Sequence, residues 1–478
     1  MTQADSNSVG VRGTIDLTQD LEESVMYTAA RLLILLSIPT TIMAATPKQL
    51  TFDPKNHALD DNHNFSPDDR FLVYDTRPGE GFIMEGRTIE KVEVATGKIS
   101  VIYHAPDPVA GQGPGVGAMS YHPTKDLVIM IHGPLTSTGL AYDQACRYGV
   151  MASGSGEGEA EYADARDTTE PFTPGALRGG THCHEFDGTG EWVGFTYNDA
   201  IMKALGTDLR TIGVTRLGHP VKVDPAPGNM DGLGFSALVV HVVPDPKPGS
   251  DEVSRAADDT WVGTHGYLKP DGTRQLARAF IGDTRDSKGK LLKDVFIVDI
   301  PQDITKPGPL GPLEGTSTTL PAPVAGASQR RLTHTEDRKH PGCGGILRTN
   351  ADGTWIACRA YDDDGAQQIF LVSPNGGPMR QLSHIPGGIV NGPRWLPSGK
   401  AIITIDAQDR LVAISTVEGE SFGKHGVILD DGGPRPYAHV ISNDGKTIAF
   451  NRDIPTDGTA YRQVFVIDYN EGPDGLPR

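Results

Sequence analysis

Residues 65–74 read Phe-Ser-Pro-Asp-Asp-Arg-Phe-Leu-Val-Tyr, which is an apolar residue, a polar turn and then an apolar strand. The same pattern returns with Asp-Gly or Ser-Gly turns at 350–357, 396–403 and 442–450, and more loosely at 121–129 and 186–195. We place a further, degenerate copy at 235–240. A repeat of roughly 45–50 residues, each a small antiparallel sheet, is typical of a β-propeller. The sequence therefore predicts an all-β, seven-bladed ring.

A second repeated phrase predicts how the ring closes. It consists of a basic or polar pair, a leucine and a hydroxyl residue, and it occurs at 330–333, 380–383 and 48–51. The two middle copies follow the third strand of a blade, so the phrase marks the outermost strand. No copy follows the last apolar strand at 464–468. We therefore expect 48–52 to complete blade seven, which hides two open sheet edges.

The composition and length of the chain limit its expected partners and its number of domains. The chain has 478 residues with 58 glycines and 36 prolines, and its formal net charge is −18. An acidic protein is a poor partner for nucleic acid, because phosphate backbones select basic surfaces. Seven blades with insertions use most of the length, so we expect residues 46–478 to form one domain. The Pro-, Gly- and Thr-rich stretch 299–327 is predicted to be an insertion within one blade.

Residues 1–45 have the character of an upstream extension followed by a secretory signal peptide. The apolar run 32–38 follows Arg31 and is too short to span a bilayer. The residues before Met26 are acidic, the wrong charge for the start of a signal peptide, so we expect translation to begin at Met26. The predicted mature chain begins near residue 45, is periplasmic or secreted, and has no membrane span.

Two of the four cysteines flank a predicted hairpin. Cys343 and Cys358 stand on either side of the turn at 351–352. Antiparallel pairing puts them nearly opposite each other, which allows a disulfide. A shift of one residue in register turns the two side chains apart and leaves free thiols.

The segment 178–186, Arg-Gly-Gly-Thr-His-Cys-His-Glu-Phe, is the strongest candidate for a catalytic site. Alternate residues of a strand share a face, so His182 and His184 are expected to point together into the axial channel. Two imidazoles on one face are typical of a half-built metal site or of a base with its orienting partner. Arg178 opens the segment, and Tyr197 ends the next strand.

Other histidines stand at similar phases of other blades: His63, His122, His132, His241 and His439. One such histidine is typical of a structural role, but the set predicts a His-rich cluster on the axis, with His63 in contact with substrate. A divalent cation is a possible cofactor. The acidic run 362–365 is predicted to be a turn. The Gly-x-Ser-x-Gly, P-loop, Rossmann and His-Glu-x-x-His motifs are absent from the sequence.

The blades and the Arg-Gln-Leu-Ser phrase resemble TolB-type propellers. The segments 72–78, 131–134, 173–182 and 195–199 more closely resemble the uncharacterised bacterial YidR-like family, and the likeness spans almost the whole mature chain. This resemblance implies the fold and leaves the function open.

A more distant likeness is to oligogalacturonate lyases, which are seven-bladed propellers with a histidine base and a metal held by histidines and a glutamine. This likeness implies His184 as the base, with His132 and His439 at the metal. The glutamine and paired histidines of that family's last blade are absent here. Arg435 and Tyr437 stand beside His439 instead, which implies that they bind substrate. A metal-free His/Tyr/Arg site is the alternative.

Three functions stay open. The first is a carbohydrate lyase acting on a uronic-acid-containing glycan, with His184 or His182 as the base and Arg178, Arg435 or a cation stabilising the enolate. The second is a periplasmic scaffold that binds a protein or peptide, and the third binds a small glycan without turnover. A His/Arg/Tyr cluster at the channel mouth favours the enzyme, whereas a wide apolar rim favours a protein partner.

The exported protein is expected to lack residues 1–45. The apolar run behind Arg31 motivates this prediction, and peptide mapping of the exported protein by mass spectrometry measures it. Recovery of an acidic peptide from upstream of Met26 would contradict it.

Overall fold

The computed structural model describes residues 46–60, 62–79 and 82–478. The predicted extension and signal peptide, residues 1–45, lie outside the described residues.

The described chain forms seven antiparallel sheets, so the predicted all-β propeller with seven blades is confirmed. Each sheet is one blade, and the chain runs from the strand beside the axis to the outer strand. Phe65 is bridged to Leu72 and forms the innermost part of blade one. Blade by blade, the strands are Phe71–Asp75, Thr88–Glu93 and Ile99–His104; Val116–Tyr121, Leu127–His132, Tyr148–Ser153 and Glu161–Tyr162; Gly180–Phe186, Trp192–Asn198, Thr211–Val221 and Gly232–Leu238; Arg255–Trp261, Ala277–Arg285, Leu291–Asp299 and Ser328–Arg331; Cys343–Thr349, Ile356–Tyr361, Gln367–Val372 and Arg380–Gln381; Arg394–Trp395, Ala401–Ile405, Leu411–Ser415 and His425–Leu429; Tyr437–Ile441, Thr447–Thr456, Thr459–Asp468 and Lys48–Gln49.

The remaining regular elements are short. Two small ribbons pair Ala165–Arg166 with Ala176–Leu177 and Tyr267–Leu268 with Arg274–Gln275. The helices are the 3₁₀ turns Ile83–Glu85, Thr136–Thr138 and Gln144–Cys146 and the α-helix Ala200–Ala204. Within the described residues, no helix has the length and apolar character needed to cross a lipid bilayer.

The repeated turn has a side-chain lock. In blade seven, Ser442 Oγ donates to Asp444 Oδ1 at 2.8 Å and accepts the Thr447 amide at 2.9 Å. Gly445 follows with a φ of +73°, a conformation that glycine adopts without strain. Ser66 repeats the first contact in blade one, at 2.7 Å. The Ser-x-Asp spacing therefore closes the turn between the inner and second strands.

The N-terminal strand closes the ring as predicted. Lys48 pairs with Val466 and Gln49 with Phe465, antiparallel to the third strand of blade seven. The Leu50 amide extends the ladder by donating to the Val464 carbonyl at 2.8 Å. The first and last strands of the described chain thus share one sheet.

A second contact joins blades one and seven at their turns. The Asp69 carboxylate accepts the backbone amides of Asn443 at 2.7 Å and Asp444 at 2.9 Å. It also accepts a hydrogen bond from the Asn443 side chain at 2.7 Å. These bonds fix the register of the closing blades at the inner edge, as the strand pairing does at the outer edge.

Apolar packing lies between blades. Each of the seven blade interfaces contains its own cluster of buried apolar side chains. The cluster between blades three and four includes Trp192, Phe280 and Phe296. Because a single blade leaves both faces open, this burial depends on a complete ring.

Blade four begins later than the sequence predicts. Residues 235–240 were expected to open it, but they fall at the end of the outer strand of blade three, Gly232–Leu238. The ribbon formed by Ala165–Arg166 and Ala176–Leu177 covers this strand, and Phe235 packs against Ala165. An outer strand covered in this way has the apolar sequence pattern expected of a buried inner strand. The predicted insertion 299–327 does lie within blade four, between its third and outer strands.

Two local predictions are settled by hydrogen bonding and register. Cys343 pairs with Ala360, two residues beyond Cys358, and both cysteines are buried free thiols that are hydrogen-bonded to each other. The run 362–365 is a turn, in which the Asp362 carboxylate accepts the Ala366 amide at 2.9 Å.

Leu50→Ala is expected to lower the free energy of unfolding by about 2–5 kcal/mol, because Leu50 is buried where the ring closes. The neighbouring Phe52 is 68 % exposed, so Phe52→Ala serves as the control and should cost less than about 1 kcal/mol. Urea denaturation measures both. Equal losses in the two variants would contradict a closing role for residue 50.

Candidate functional site

Bulges in the inner strands determine which side chains face the axis. Register shifts interrupt the inner strands of blades two, three, four, five and seven. At four of these shifts a residue other than glycine has a φ between +48° and +57°: Ala118, Cys183, Asp258 and Ala438. The extra residue at a bulge breaks the strict alternation of faces along the strand.

Blade three shows the consequence for the predicted catalytic pair. Cys183 is exposed and lines an axial cavity. His182 and His184 are only 2 % and 1 % exposed. The prediction that these histidines point into the channel is therefore wrong, because the bulge presents Cys183 there instead.

His184 lies between blades two and three. Its Nε2 is 2.9 Å from Thr181 Oγ1, and its ring centre is 6.5 Å from that of Phe195. A Cβ added to Gly149 of blade two would come within 2.8 Å of the same Nε2, so a side chain at 149 is excluded. Burial lowers the pKa of His184 to about 3. The imidazole is neutral and packed, and it lies away from the axial cavities.

The His182 ring is hydrogen-bonded to an arginine. Arg147 Nη1 donates to His182 Nδ1 at 3.3 Å. Burial, followed by the positive charges of Arg210 and Arg147, lowers the pKa of His182 well below its usual value. The neutral ring can therefore accept this hydrogen bond.

The two predicted metal ligands occupy separate interfaces. His132 Nε2 is 3.1 Å from the Tyr103 hydroxyl, between blades one and two, and burial lowers the pKa of His132 to about 4. His439 Nε2 donates to the Ile403 carbonyl at 3.0 Å, between blades six and seven. The predicted cluster of His132, His439, His182 and His184 on the axis is therefore wrong. These imidazoles fill gaps between blades.

Arg178 and Tyr197 form a buried network with Asp199. Asp199 Oδ2 accepts from Arg178 Nη2 at 3.0 Å and from the Tyr197 hydroxyl at 2.8 Å. Arg178 Nη2 also donates to the Thr319 carbonyl at 2.9 Å, which fastens the insertion of blade four to blade three. Both predicted catalytic groups are fully buried, so the structure places them in a structural position.

The predicted substrate-binding residues are separated. Arg435 pairs with Asp409 on the surface. The Tyr437 hydroxyl donates to Asp453 and accepts from Arg462 Nε at 2.8 Å. Tyr437 borders an axial cavity, and so does His63.

Two adjoining cavities lie on the axis. The first, of about 350 Å³, opens among the turns that follow the inner strands, and its lining includes His63, Glu185, Trp261, Arg348 and Arg394. The second, of about 330 Å³, lies toward the starts of the inner strands, and its lining includes Cys183, Arg210, Asp258, Ile346 and Tyr437. Asn62, Glu185 and Arg348 line both cavities, so the two adjoin along the axis.

The Glu185 carboxylate, which lines the channel, accepts several hydrogen bonds. It accepts from Arg278 Nη1, the Trp261 amide and the Thr260 hydroxyl, each at 3.2 Å. Arg278 is completely buried and also binds Asp259 through Nε at 2.7 Å. Burial alone would raise the pKa of Glu185, but the surrounding positive charges, with Arg278 the largest, outweigh it and lower the pKa. Glu185 is therefore an anion at neutral pH.

His63 stands opposite this carboxylate. Its Nε2 lies 3.8 Å from Glu185 Oε1, and 65 % of its side chain is exposed within the channel. Enclosure by the channel walls lowers the pKa of His63, and Arg348 and Arg394 act in the same direction, while Glu185 opposes them. The result is an accessible neutral imidazole beside one carboxylate and two guanidinium groups.

The histidine pattern did not indicate Glu185, Arg348 or Arg394 as site residues. Their shared position within the blades is the sequence signal that could have found them. Each stands two residues before the residue that opens the turn between the inner and second strands, in blades three, five and six. In these three blades the side chains at this position line the first axial cavity.

Comparison with known proteins establishes the family. The family described as "Protein of unknown function (DUF3748)" matches residues 115–228. The chain is 40 % identical over 414 residues to "Uncharacterized protein YidR" of Escherichia coli (strain K12), which covers 84 % of this chain and 94 % of that protein. This chain belongs to the YidR family.

Among solved structures, an oligogalacturonate lyase in complex with manganese matches the YidR-family chain with a TM-score of 0.51 at 11 % identity, covering 90 % of this chain and 95 % of that one. TolB from Acinetobacter baumannii matches with a TM-score of 0.33 at 11 % identity, covering 87 % and 86 %. The first likeness shows a shared fold, and the second is too low to support an inference.

A bound metal ion would need several ligating side chains close together. In the part of the chain that the structure describes, no three His, Cys, Asp or Glu side chains are grouped to hold a metal ion. His132 and His439 are hydrogen-bonded in different blade interfaces. The predicted metal ligands therefore do not fit a metal site.

His132 is expected to make the protein less stable in acid. Its pKa is about 4 in the folded protein and near 6.5 when unfolded, so the unfolded chain takes up the proton first as the pH falls. The contribution is complete above pH 6.5, and about 2 kcal/mol of it is lost between pH 7 and pH 5. Urea titrations of wild type and His132→Gln at both pH values measure this difference.

His132→Gln should start less stable and lose about 2 kcal/mol less than wild type over that interval. His425→Gln, on the exposed outer strand of blade six, is the control and should keep the wild-type pH dependence. An unchanged pH dependence in His132→Gln would show that the buried imidazole does not control acid stability.

Proposed function

We propose that this protein is an exported lyase that cleaves a uronate-containing oligosaccharide by β-elimination in the first axial cavity, with His63 as the base. One observation carries the proposal. His63 is the accessible histidine that faces Glu185, and its depressed pKa keeps the imidazole neutral and able to take a proton. His63 thereby replaces His184 and His182 as the candidate base.

The chemistry requires groups of two kinds. His63 would take the proton from the carbon next to the uronate carboxylate, and the electron pair of that C–H bond would form the new carbon–carbon double bond. The bond from the neighbouring carbon to the glycosidic oxygen then breaks, and the leaving oxygen takes a proton from the imidazolium or from water. Negative charge develops on the carboxylate during proton removal. Arg348 and Arg394, which line the same cavity, would stabilise it.

Glu185 would act through His63. A carboxylate beside an imidazole stabilises the imidazolium that forms when the base takes a proton. Arg278 and the Trp261 amide hold the Glu185 carboxylate in place. Glu185 is therefore proposed as a positioning residue.

A second candidate is binding of the same acidic ligand without turnover. The 3.8 Å separation between His63 and Glu185 favours it, because this distance is longer than a direct hydrogen bond and Glu185 already accepts from three other donors. The arginines would still hold the carboxylates of a bound glycan.

The test is turnover of oligogalacturonates and other uronate oligosaccharides, followed by the absorbance of the unsaturated uronyl product. His63→Gln is expected to lower kcat by about 10²–10⁴-fold. His219→Gln, on an exposed part of blade three, is the matched control and should retain full activity. Arg394→Gln should lower kcat as well as raise KM, because Arg394 is proposed to stabilise the charge that develops during proton removal.

Calorimetric binding of the same oligosaccharides separates the candidates. Binding without product in the wild type supports the binding module. Full activity in His63→Gln would rule out His63 as the base.

A further inference from the structure

A second basic cluster lies at the other end of the channel. Arg147 and Arg210 each stand immediately before the third strand of a blade, in blades two and three. Arg255 is the first residue of the inner strand of blade four. In an antiparallel blade, third strands begin at the same end as inner strands, so the topology brings all three arginines to one mouth. We call this set of Arg147, Arg210 and Arg255 the arginine mouth.

Neutral side chains hold two of these arginines. Arg147 donates from Nε to the Tyr142 hydroxyl at 2.9 Å and from Nη1 to His182 Nδ1 at 3.3 Å. Arg210 donates from Nε to Asn198 Oδ1 at 2.9 Å and lines the second axial cavity. The guanidinium groups are therefore oriented without being neutralised.

The described residues form no ion pair with the arginine mouth. Among residues 46–60, 62–79 and 82–478, no carboxylate lies within 4.0 Å of a nitrogen of Arg147, Arg210 or Arg255. Arg147 is nevertheless only 9 % exposed. A buried charge ordinarily requires a paired charge, because its loss of hydration is costly.

Of the carboxylates nearby, Asp258 lines the second cavity with Arg210 and attracts it, and the others are engaged elsewhere. Asp143 pairs with Lys203 at 2.6 Å and caps the Ala145 amide at 2.7 Å. Within the second cavity, Asp60 pairs with Arg77, and Asp259 pairs with the buried Arg278.

Like charges within the cluster repel one another. Burial lowers the pKa of Arg210 most, and Arg255 and Arg147 act in the same direction, while Cys183 and Asp258 oppose them. Like charges held together at a cavity wall are stabilised when an anion binds between them.

We propose that Arg147, Arg210 and Arg255 form an anion-binding site that receives the carboxylate, sulfate or phosphate group of a ligand entering the second cavity. The site rests on its own geometry and does not depend on lyase activity. His182 is a positioning residue here, because its Nδ1 accepts from Arg147.

This site changes the expected form of the ligand. Arg348 and Arg394 line the first cavity, Arg210 lines the second, and the two cavities adjoin. A ligand that reaches both must carry acidic groups at two separated positions. An extended polyanion meets this requirement, whereas a single acidic sugar does not.

Isothermal titration calorimetry with inorganic phosphate, inorganic sulfate and galacturonate tests the site. The titrations use the full mature chain at constant ionic strength. They are repeated in an Arg348→Gln/Arg394→Gln background, because both arginines line the first cavity and would bind anions there. We expect one site in that background, weakened at least tenfold by Arg210→Gln and by Arg255→Gln.

Arg216→Gln is the matched control, because Arg216 lies on the strand Thr211–Val221 that follows Arg210, and its guanidinium carbon is 5.3 Å from the centre of the Trp192 ring. It should leave anion binding unchanged. Uptake of galacturonate alone identifies a carboxylate site, and uptake of phosphate or sulfate identifies an oxyanion site. Either supports the proposal. Absence of binding for all three anions, or equal weakening by Arg216→Gln, would overturn it.

Discussion

Closure of the ring by its own N-terminal strand is the constraint on which the rest of this structure depends. Each apolar cluster lies between two blades, so a gap at any one interface exposes two faces and removes the geometry of the channel. The chain secures this joint twice. Lys48–Gln49 pairs with blade seven at the outer edge, and Asp69 binds the blade-seven turn at the inner edge. The axial cavities keep their shape because both edges are fixed.

Local backbone strain in the inner strands accompanies the arrangement of side chains around the axis. Four residues other than glycine adopt left-handed backbone conformations there, a state that side chains with a Cβ rarely adopt. Three of them, Cys183, Asp258 and Ala438, line the second cavity. A regular strand would direct these side chains into the blade interfaces. The bulges turn them toward the axis instead. The same bulge sends His182 and His184 into the protein, where they pack as neutral rings.

Arginine side chains line the axial cavities although the chain as a whole is acidic. The protein has a net charge of −18, yet Arg348 and Arg394 line one cavity and Arg210 the other. Protein walls screen charges less than open water does, so these arginines attract anions locally, although Glu185, Asp258 and Asp259 line the same cavities. Net charge alone says little about what enters the axis.

The sequence by itself determined the blade count, the closing strand and the YidR-like family, because each is recorded in short-range patterns. A Ser-x-Asp turn or an Arg-Gln-Leu-Ser phrase acts within a few residues, through hydrogen bonds that its own side chains form. It did not locate the start of blade four, since Phe235 packs under a distant ribbon while Ala237, Val239 and Val240 pack between blades three and four.

Only the tertiary structure decided which side chains reach the channel. One extra residue at Cys183 reversed the alternation from which His182 and His184 were predicted to face the axis. Glu185, Arg348 and Arg394 meet because three blades converge there, although the chain separates them widely. Strand alternation is a local rule, and a bulge changes it without a distinctive sequence, so the composition of the axial site becomes visible only in the folded ring.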